Sequence, residues 1–183
     1  MMDSSTLGLI WWMTSVADMT LNDCPNGCLT TERQDPQLFY QFGQLQSDEF
    51  EDANEFYLGY DSHRRRGPFR PTYGLSLTTD GAAWFGIGGK WSSQYVYDTP
   101  LFIETSLMPG FYRQGDGADL DGVLQFRAGL GIGYTFDNGS NLTITYDSMA
   151  NADFFDDIPS RETIAIRWTT NWEGPSLRSR LGW

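Results

Sequence analysis

Val-Leu-Gln-Phe-Arg-Ala-Gly-Leu-Gly-Ile-Gly-Tyr-Thr-Phe, residues 123–136, alternates strictly along its length. Leu124, Phe126, Ala128, Leu130, Ile132, Tyr134 and Phe136 share one face, and Gln125, Arg127 and small or polar residues share the other. Successive side chains of a strand point to opposite sides, so this is an extended segment with one apolar and one polar face. Asp137-Asn138-Gly139-Ser140 then turns the chain, because Asn-Gly supplies the positive φ of a tight hairpin. In the next strand Leu142, Ile144, Tyr146, Ser148 and Ala150 oppose Thr143, Thr145 and Asp147. In the one after, Glu162, Ile164, Ile166 and Trp168 oppose Thr163, Ala165, Arg167 and Thr169. The charges Arg127, Asp147 and Arg167 all fall on the face that carries the small residues.

That pattern reads as an inverted protein. Segments near the roughly 9–11 residues that a tilted strand needs to cross a bilayer carry a bulky apolar face for lipid. Their other face mixes small residues with charges able to pair, as the inside of a narrow barrel requires. A soluble β-sandwich or a ligand-binding barrel of lipocalin type would also alternate, and detergent dependence separates these from a membrane barrel.

Eight such segments follow Gln37: about 37–46, 54–62, 70–79, 82–91, 99–112, 123–136, 142–151 and 162–172. Leu38, Tyr40 and Phe42 mark one face of the first, and Phe56, Leu58 and Tyr60 one face of the second. In the fifth, Leu101, Ile103, Thr105 and Leu107 point out and Phe102, Glu104 and Ser106 point in. An even number of sequential strands closes without leaving an edge unpaired. The expected fold is therefore all-β, an eight-stranded antiparallel up-and-down transmembrane β-barrel over 37–172. Glu104, Arg127, Asp147 and Arg167 are expected inside, with at least one acid–base pair among them, because an unpaired charge there loses its hydration.

Composition agrees with this reading. The 183 residues suit one domain, and a mean hydropathy of −0.41 is no objection, since a membrane barrel alternates its apolar residues instead of running them together. Aromatic residues make up 15% of the chain, enough for interfacial girdles. Twelve basic against 24 acidic residues give a net charge of −12, which argues against a nucleic-acid partner.

Residues 1–36 read as a separate element, a degenerate export signal or an N-terminal extension. The apolar run from Leu7 to Ala17 is too short to span a bilayer as a helix and suits a signal core, but no basic residue precedes it. A periplasmic plug or short helix is the alternative. Cys24 and Cys28, the only cysteines, suit a small disulfide loop in an oxidising compartment. No cofactor and no metal is expected. Asp116, Asp119 and Asp121 lack the spacing of an EF-hand and read as a solvated acidic loop. Arg64–Arg66 reads as a solvated turn or a contact for anionic head groups. With the N-terminus periplasmic, the acidic 48–52 segment, 115–122 and 149–161 lie on the cell exterior. Residues 173–183 form a C-terminal tail.

Tyr146-Asp147-Ser148-Met149-Ala150-Asn151-Ala152, followed by Pro159-Ser160-Arg161-Glu162 and an alternating strand, resembles the outer-membrane lipid A 3-O-deacylases. These are eight-stranded barrels with a His-x-Ser-Asn-Ala, short loop, Pro-Gly-x-Glu pattern on the lipid-facing wall. The resemblance implies a bacterial outer-membrane location and lipopolysaccharide or outer-membrane lipid as partner. It also implies a site in which His is the base, Ser the nucleophile, Glu the residue that orients the His, and Asn part of the oxyanion hole. Here the His position is Ser148 and the nucleophile position is Ala150, while Asn151, Ala152, Pro159 and Glu162 match. The candidate catalytic residues are thus Ser148, Asn151 and Glu162. A serine hydrolase needs a hydroxyl, a base within reach and a group that orients the base. Ala150 has no hydroxyl, and His63, the chain's only histidine, falls in a turn at the opposite membrane face. Two functions follow: a barrel that binds or packs lipopolysaccharide without catalysis, or a lipid A ester hydrolase with a rearranged site in which Glu162 serves Ser148.

Overall fold

The computed structural model describes residues 4–46, 53–151 and 160–172. The acidic 48–52 segment, Ala152, Pro159 and the 173–183 tail lie outside them. Among the described residues the strands are β1 (Thr31–Arg33), β2 (Gln37–Gln46), β3 (Asn54–Asp61), β4 (Arg64–Arg66), β5 (Arg70–Thr78), β6 (Ala83–Ser92), β7 (Leu101–Arg113), β8 (Leu124–Thr135), β9 (Asn141–Asn151) and β10 (Arg161–Asn171). One helix, α1 (Ser4–Asp18), precedes them. Strands β2, β3 and β5–β10 form a closed antiparallel barrel in which each strand pairs with its chain neighbours and β10 pairs with β2. The expected eight-stranded fold is what forms.

Parity holds around the barrel. Phe42, Phe56, Leu75, Phe85, Ile103, Ile132, Ile144 and Ile166 are exposed on the outer wall. Outward Tyr40, Tyr60, Tyr73, Trp91, Tyr134 and Trp168 gather toward the end where β2 begins and β10 finishes, here the lower rim. A band of Ile, Leu and Phe edged by Tyr and Trp is the surface that a bilayer and its interface select.

The interior is a continuous polar chain. Arg127 donates to both carboxylate oxygens of Glu55 at 2.7 Å and to Asp147 at 2.9 Å. Gln41 donates to Asp147 at 2.7 Å and accepts from Arg167 at 2.9 Å. Arg167 also pairs with Glu104, which lies 3.6 Å from Lys90, and Lys90 pairs with Asp61. The chain of contacts thus passes through every barrel strand except β5. The expectation of at least one acid–base pair among Glu104, Arg127, Asp147 and Arg167 is met twice, by Arg127–Asp147 and Arg167–Glu104.

The two guanidinium groups stack on aromatic rings, Arg127 on Tyr57 at 4.5 Å and Arg167 on Phe39 at 4.6 Å. Phe39, Tyr57 and Trp84 stack in turn. Glycine makes room for them. A Cβ at Gly59 would strike the Phe39 ring, and one at Gly74 would strike Tyr57.

Turns and rims account for the rest. Gly139 takes the positive φ that the Asn-Gly turn requires. At the upper rim Asp116, Asp119 and Asp121 are exposed, in line with a solvated acidic loop, while the apolar residues between them are tied down. Ala118 and Leu120 are buried, Tyr112 donates to the Ala118 carbonyl at 2.9 Å, and Gln125 donates to the carbonyls of Leu120 and Gly122. Asp80, in the adjacent turn, lies 3.3 Å from Arg161. Burial alone would raise its carboxyl, but hydrogen bonds from Thr78 and Ala82 and the charge of Arg161 hold it below the ordinary carboxylate range.

Beneath the barrel, Arg64–Arg66 forms β4 and pairs with β1, where Arg65 meets Glu32 and lies over the Tyr95 ring. The arginine run is therefore a strand of a two-stranded ribbon instead of a solvated turn. Cys24 and Cys28 are joined by a disulfide.

Arg127→Leu leaves Glu55 and Asp147 buried without their cation. Urea unfolding in detergent micelles is expected to show a loss of about 3–5 kcal/mol, the usual penalty for an uncompensated buried charge. An unchanged midpoint would contradict the pairing.

Candidate functional site

The candidate wall is the upper part of the outer face of β7–β10. Register puts Leu107 beside Ala128, Ala128 beside Ser148, and Ser148 beside Glu162, one side chain per strand along a single row. Ala150 lies two residues above Ser148 on the same face, opposite Phe126. The structure therefore brings Ser148, Ala150 and Glu162 together on the outer wall, as strand parity requires.

Asn151 does not join them. Alternation turns it to the other face, and its amide donates to the Asp121 carbonyl in the upper-rim loop at 2.5 Å. His63 sits beyond the end of β3 at the lower rim, away from this wall, where its carbonyl accepts from Gln34.

The polar members of the row lack partners. Ser148 is 0% exposed, its Oγ has no hydrogen-bond partner, and no hydrogen bond joins it to Glu162. Glu162 is 7% exposed and its Oε2 is likewise unsatisfied. A hydroxyl without a base in reach is a weak nucleophile. A carboxylate on a lipid-facing wall is costly unless a partner or a function retains it. Among the described residues no group of three His, Cys, Asp or Glu side chains is placed to hold a metal ion.

α1 lies obliquely across the outer wall, over the β7–β9 part of the row. Asp18 accepts from the Trp91 indole on β6 at 2.7 Å, and Thr14 shares a hydrogen bond with Thr105 on β7 at 3.1 Å. Gly8 faces Leu107, and the first turns continue across β8 to β9. The signal was present in the sequence as Leu7, Trp11, Thr14, Ser15 and Asp18, spaced for one face of a helix. The sequence reading keeps a short helix as the alternative to an export signal without assigning it this face.

Comparison with known proteins follows the same lines. The family described as lipid A 3-O-deacylase (PagL) matches residues 54–171. No curated protein sequence matches the chain. Among solved structures, the crystal structure of the outer membrane enzyme PagL superposes with a TM-score of 0.59 at 14% identity, covering 74% of this chain and 99% of that one. A de novo designed transmembrane β-barrel superposes with a TM-score of 0.52 at 13% identity, covering 76% and 100%.

Glu162→Gln is expected to leave the barrel as stable as the parent or more stable by about 1 kcal/mol, since it removes a buried charge that lacks a full set of partners. Thermal unfolding in micelles reads this. A clear loss of stability would mean that the carboxylate is structurally paired.

Proposed function

Because this chain belongs to the lipid A 3-O-deacylase (PagL) family, we propose that it is a bacterial outer-membrane barrel whose upper outer wall receives the acyl chains of lipid A without cleaving them. The observation that carries this reading is the row Ser148–Ala150–Glu162. It stands on the outer wall, and on the resemblance of the 146–162 segment to the family's pattern the position of the nucleophile is Ala150, a methyl group, and that of the base is Ser148, a hydroxyl. Small side chains at 148 and 150 leave a shallow wall, and on this reading the pair that would move a proton is missing. Ester cleavage requires a base to take the hydroxyl proton as the carbonyl is attacked, and a second group to hold that base. Asn151, the family's oxyanion donor, is engaged by Asp121 and turned away from the row.

A rearranged hydrolase is the second reading. Ser148 and Glu162 are direct cross-strand partners, so a carboxylate stands next to the only hydroxyl in the row. A carboxylate is a poor base for an alcohol without a relay, which ranks this reading behind the first.

Mass analysis of lipid A from cells expressing the chain distinguishes the two. The parent is expected to leave lipid A at the mass seen with an empty vector. Ser148→His combined with Ala150→Ser is expected to produce a species lighter by one acyl chain, while neither single change does, because nucleophile and base act as a unit. Cleavage by the parent that is abolished by Ser148→Ala or Glu162→Gln would establish the rearranged hydrolase instead.

A further inference from the structure

The outward face of β6–β9 is polar and small where the rest of the wall is bulky. Gly89, Thr105, Ala128, Ser148 and Ala150 form a shallow strip, against the exposed Phe85, Ile103, Ile132 and Ile144 beside and below it. Left against hydrocarbon, the hydroxyl of Thr105 would have no side-chain partner, and Thr14 of α1 supplies one. α1 fills this strip. Its face of Leu7, Trp11, Thr14, Ser15 and Asp18 turns to the wall, with Leu7, Ser15 and Asp18 buried. A Cβ at Gly89 would come 3.1 Å from the Trp11 ring, so the glycine is what lets that ring approach. The opposite face of the helix exposes Leu9, Trp12 and Met13, which restores an apolar surface where the strip interrupts it.

The fit is incomplete. Beneath or beside α1, the Trp11 indole nitrogen, Ser15 Oγ, Ser148 Oγ and Glu162 Oε2 are buried without hydrogen-bond partners. Each such atom weakens the closed arrangement relative to one in which it finds a partner. The contact therefore combines two anchors, Asp18–Trp91 and Thr14–Thr105, with polar groups left unsatisfied along it, Trp11 and Ser15 on the helix and Ser148 and Glu162 on the wall.

We infer that α1 is a displaceable occupant, held in cis, of the acyl-chain strip on β7–β9, so that helix and lipid A compete for one surface. The docking of α1 stands on the contacts above; the identity of its competitor rests on the function proposed in the preceding subsection. Lipid A matches both aspects of the strip: its acyl chains replace the apolar stem of the helix, and its polar glucosamine backbone supplies donors to Glu162 and Ser148. In the closed state the β7–β9 part of the row is covered, and in the open state α1 is held only by its continuation into the lower-rim segment.

The test uses the full chain in phosphatidylcholine vesicles under non-reducing conditions, so that the Cys24–Cys28 disulfide stays closed. Ser148→Cys is compared with Ile144→Cys for reaction with a lipid-soluble maleimide, since position 144 is 65% exposed on the same strand face. Labelling at 148 is expected to be at least about tenfold slower, because reaction there requires the helix to open. Leu7→Asp or, separately, Ser15→Asp places a charge in the buried helix face and is expected to bring labelling at 148 close to that at 144. Labelling at 144 should not change, which reports an intact barrel. Equal rates at 148 and 144 in the unaltered background, or slow labelling at 148 that survives both helix variants, would overturn the docking.

Hexa-acylated lipid A added to the Leu7→Asp background is then expected to slow labelling at 148 again. If lipid A binds these vesicle-borne barrels without protecting position 148, the competition is wrong while the function stands. If lipid A does not bind at all, although helix release has exposed 148, the function fails while the docking of α1 stands.

Discussion

A guanidinium enclosed in a narrow barrel has no water to fall back on, and the rest of this structure depends on how Arg127 and Arg167 are satisfied. Arg127 is held by Glu55 and Asp147, Arg167 by Glu104 and Gln41, and Gln41 links the two through Asp147. Glu55, Glu104 and Gln41 come from strands far in the chain from the arginines they hold, so the network forms only when the sheet has closed with this stagger. Closure in turn satisfies every strand edge, the condition for placing a sheet in lipid. The polar interior and the apolar exterior are thus two consequences of one register. A slip of one residue would send the charges into the bilayer.

Much of this was legible from period-two alternation. Strand positions read from the sequence lie within about two residues of those observed, and the inward placement of Glu104, Arg127, Asp147 and Arg167 followed from parity alone. Alternation assigns a face but says nothing of who meets whom across the lumen. Glu55, 72 residues from Arg127, and Asp61, opposite Lys90, become partners only through the curvature of the closed sheet. The β1–β4 ribbon was missed because three-residue strands are too short to show a period, and Arg64–Arg66 looks like a solvated run until Glu32 is placed beside it.

The candidate site was legible in part for the same reason. Ser148, Ala150 and Glu162 share a face because positions 148 and 150 differ by two and because Glu162 pairs directly with Ser148. Asn151 fell on the wrong side of that rule, and the structure turns it toward Asp121. A short helix is one of two readings that the sequence allows for this segment, but its docking face was hidden by its composition. A run of Leu, Ile, Trp and Met reads as an export signal unless the polar face of Thr14, Ser15 and Asp18 is given weight, and those residues acquire meaning only opposite Thr105 and Trp91.

The most direct test of the account is nitroxide scanning of β9 in bilayers, one spin label at a time from position 141 to 151, with collision rates measured against oxygen and a water-soluble nickel chelate. Labels at 142, 144 and 146 should collide with oxygen and not with nickel, those at 143, 145 and 147 should collide with neither, and those at 148 and 150 should be shielded from both despite their outward parity. Oxygen contact at 143, 145 and 147 in place of 142, 144 and 146 would show the polar face turned to lipid and would contradict the barrel described here.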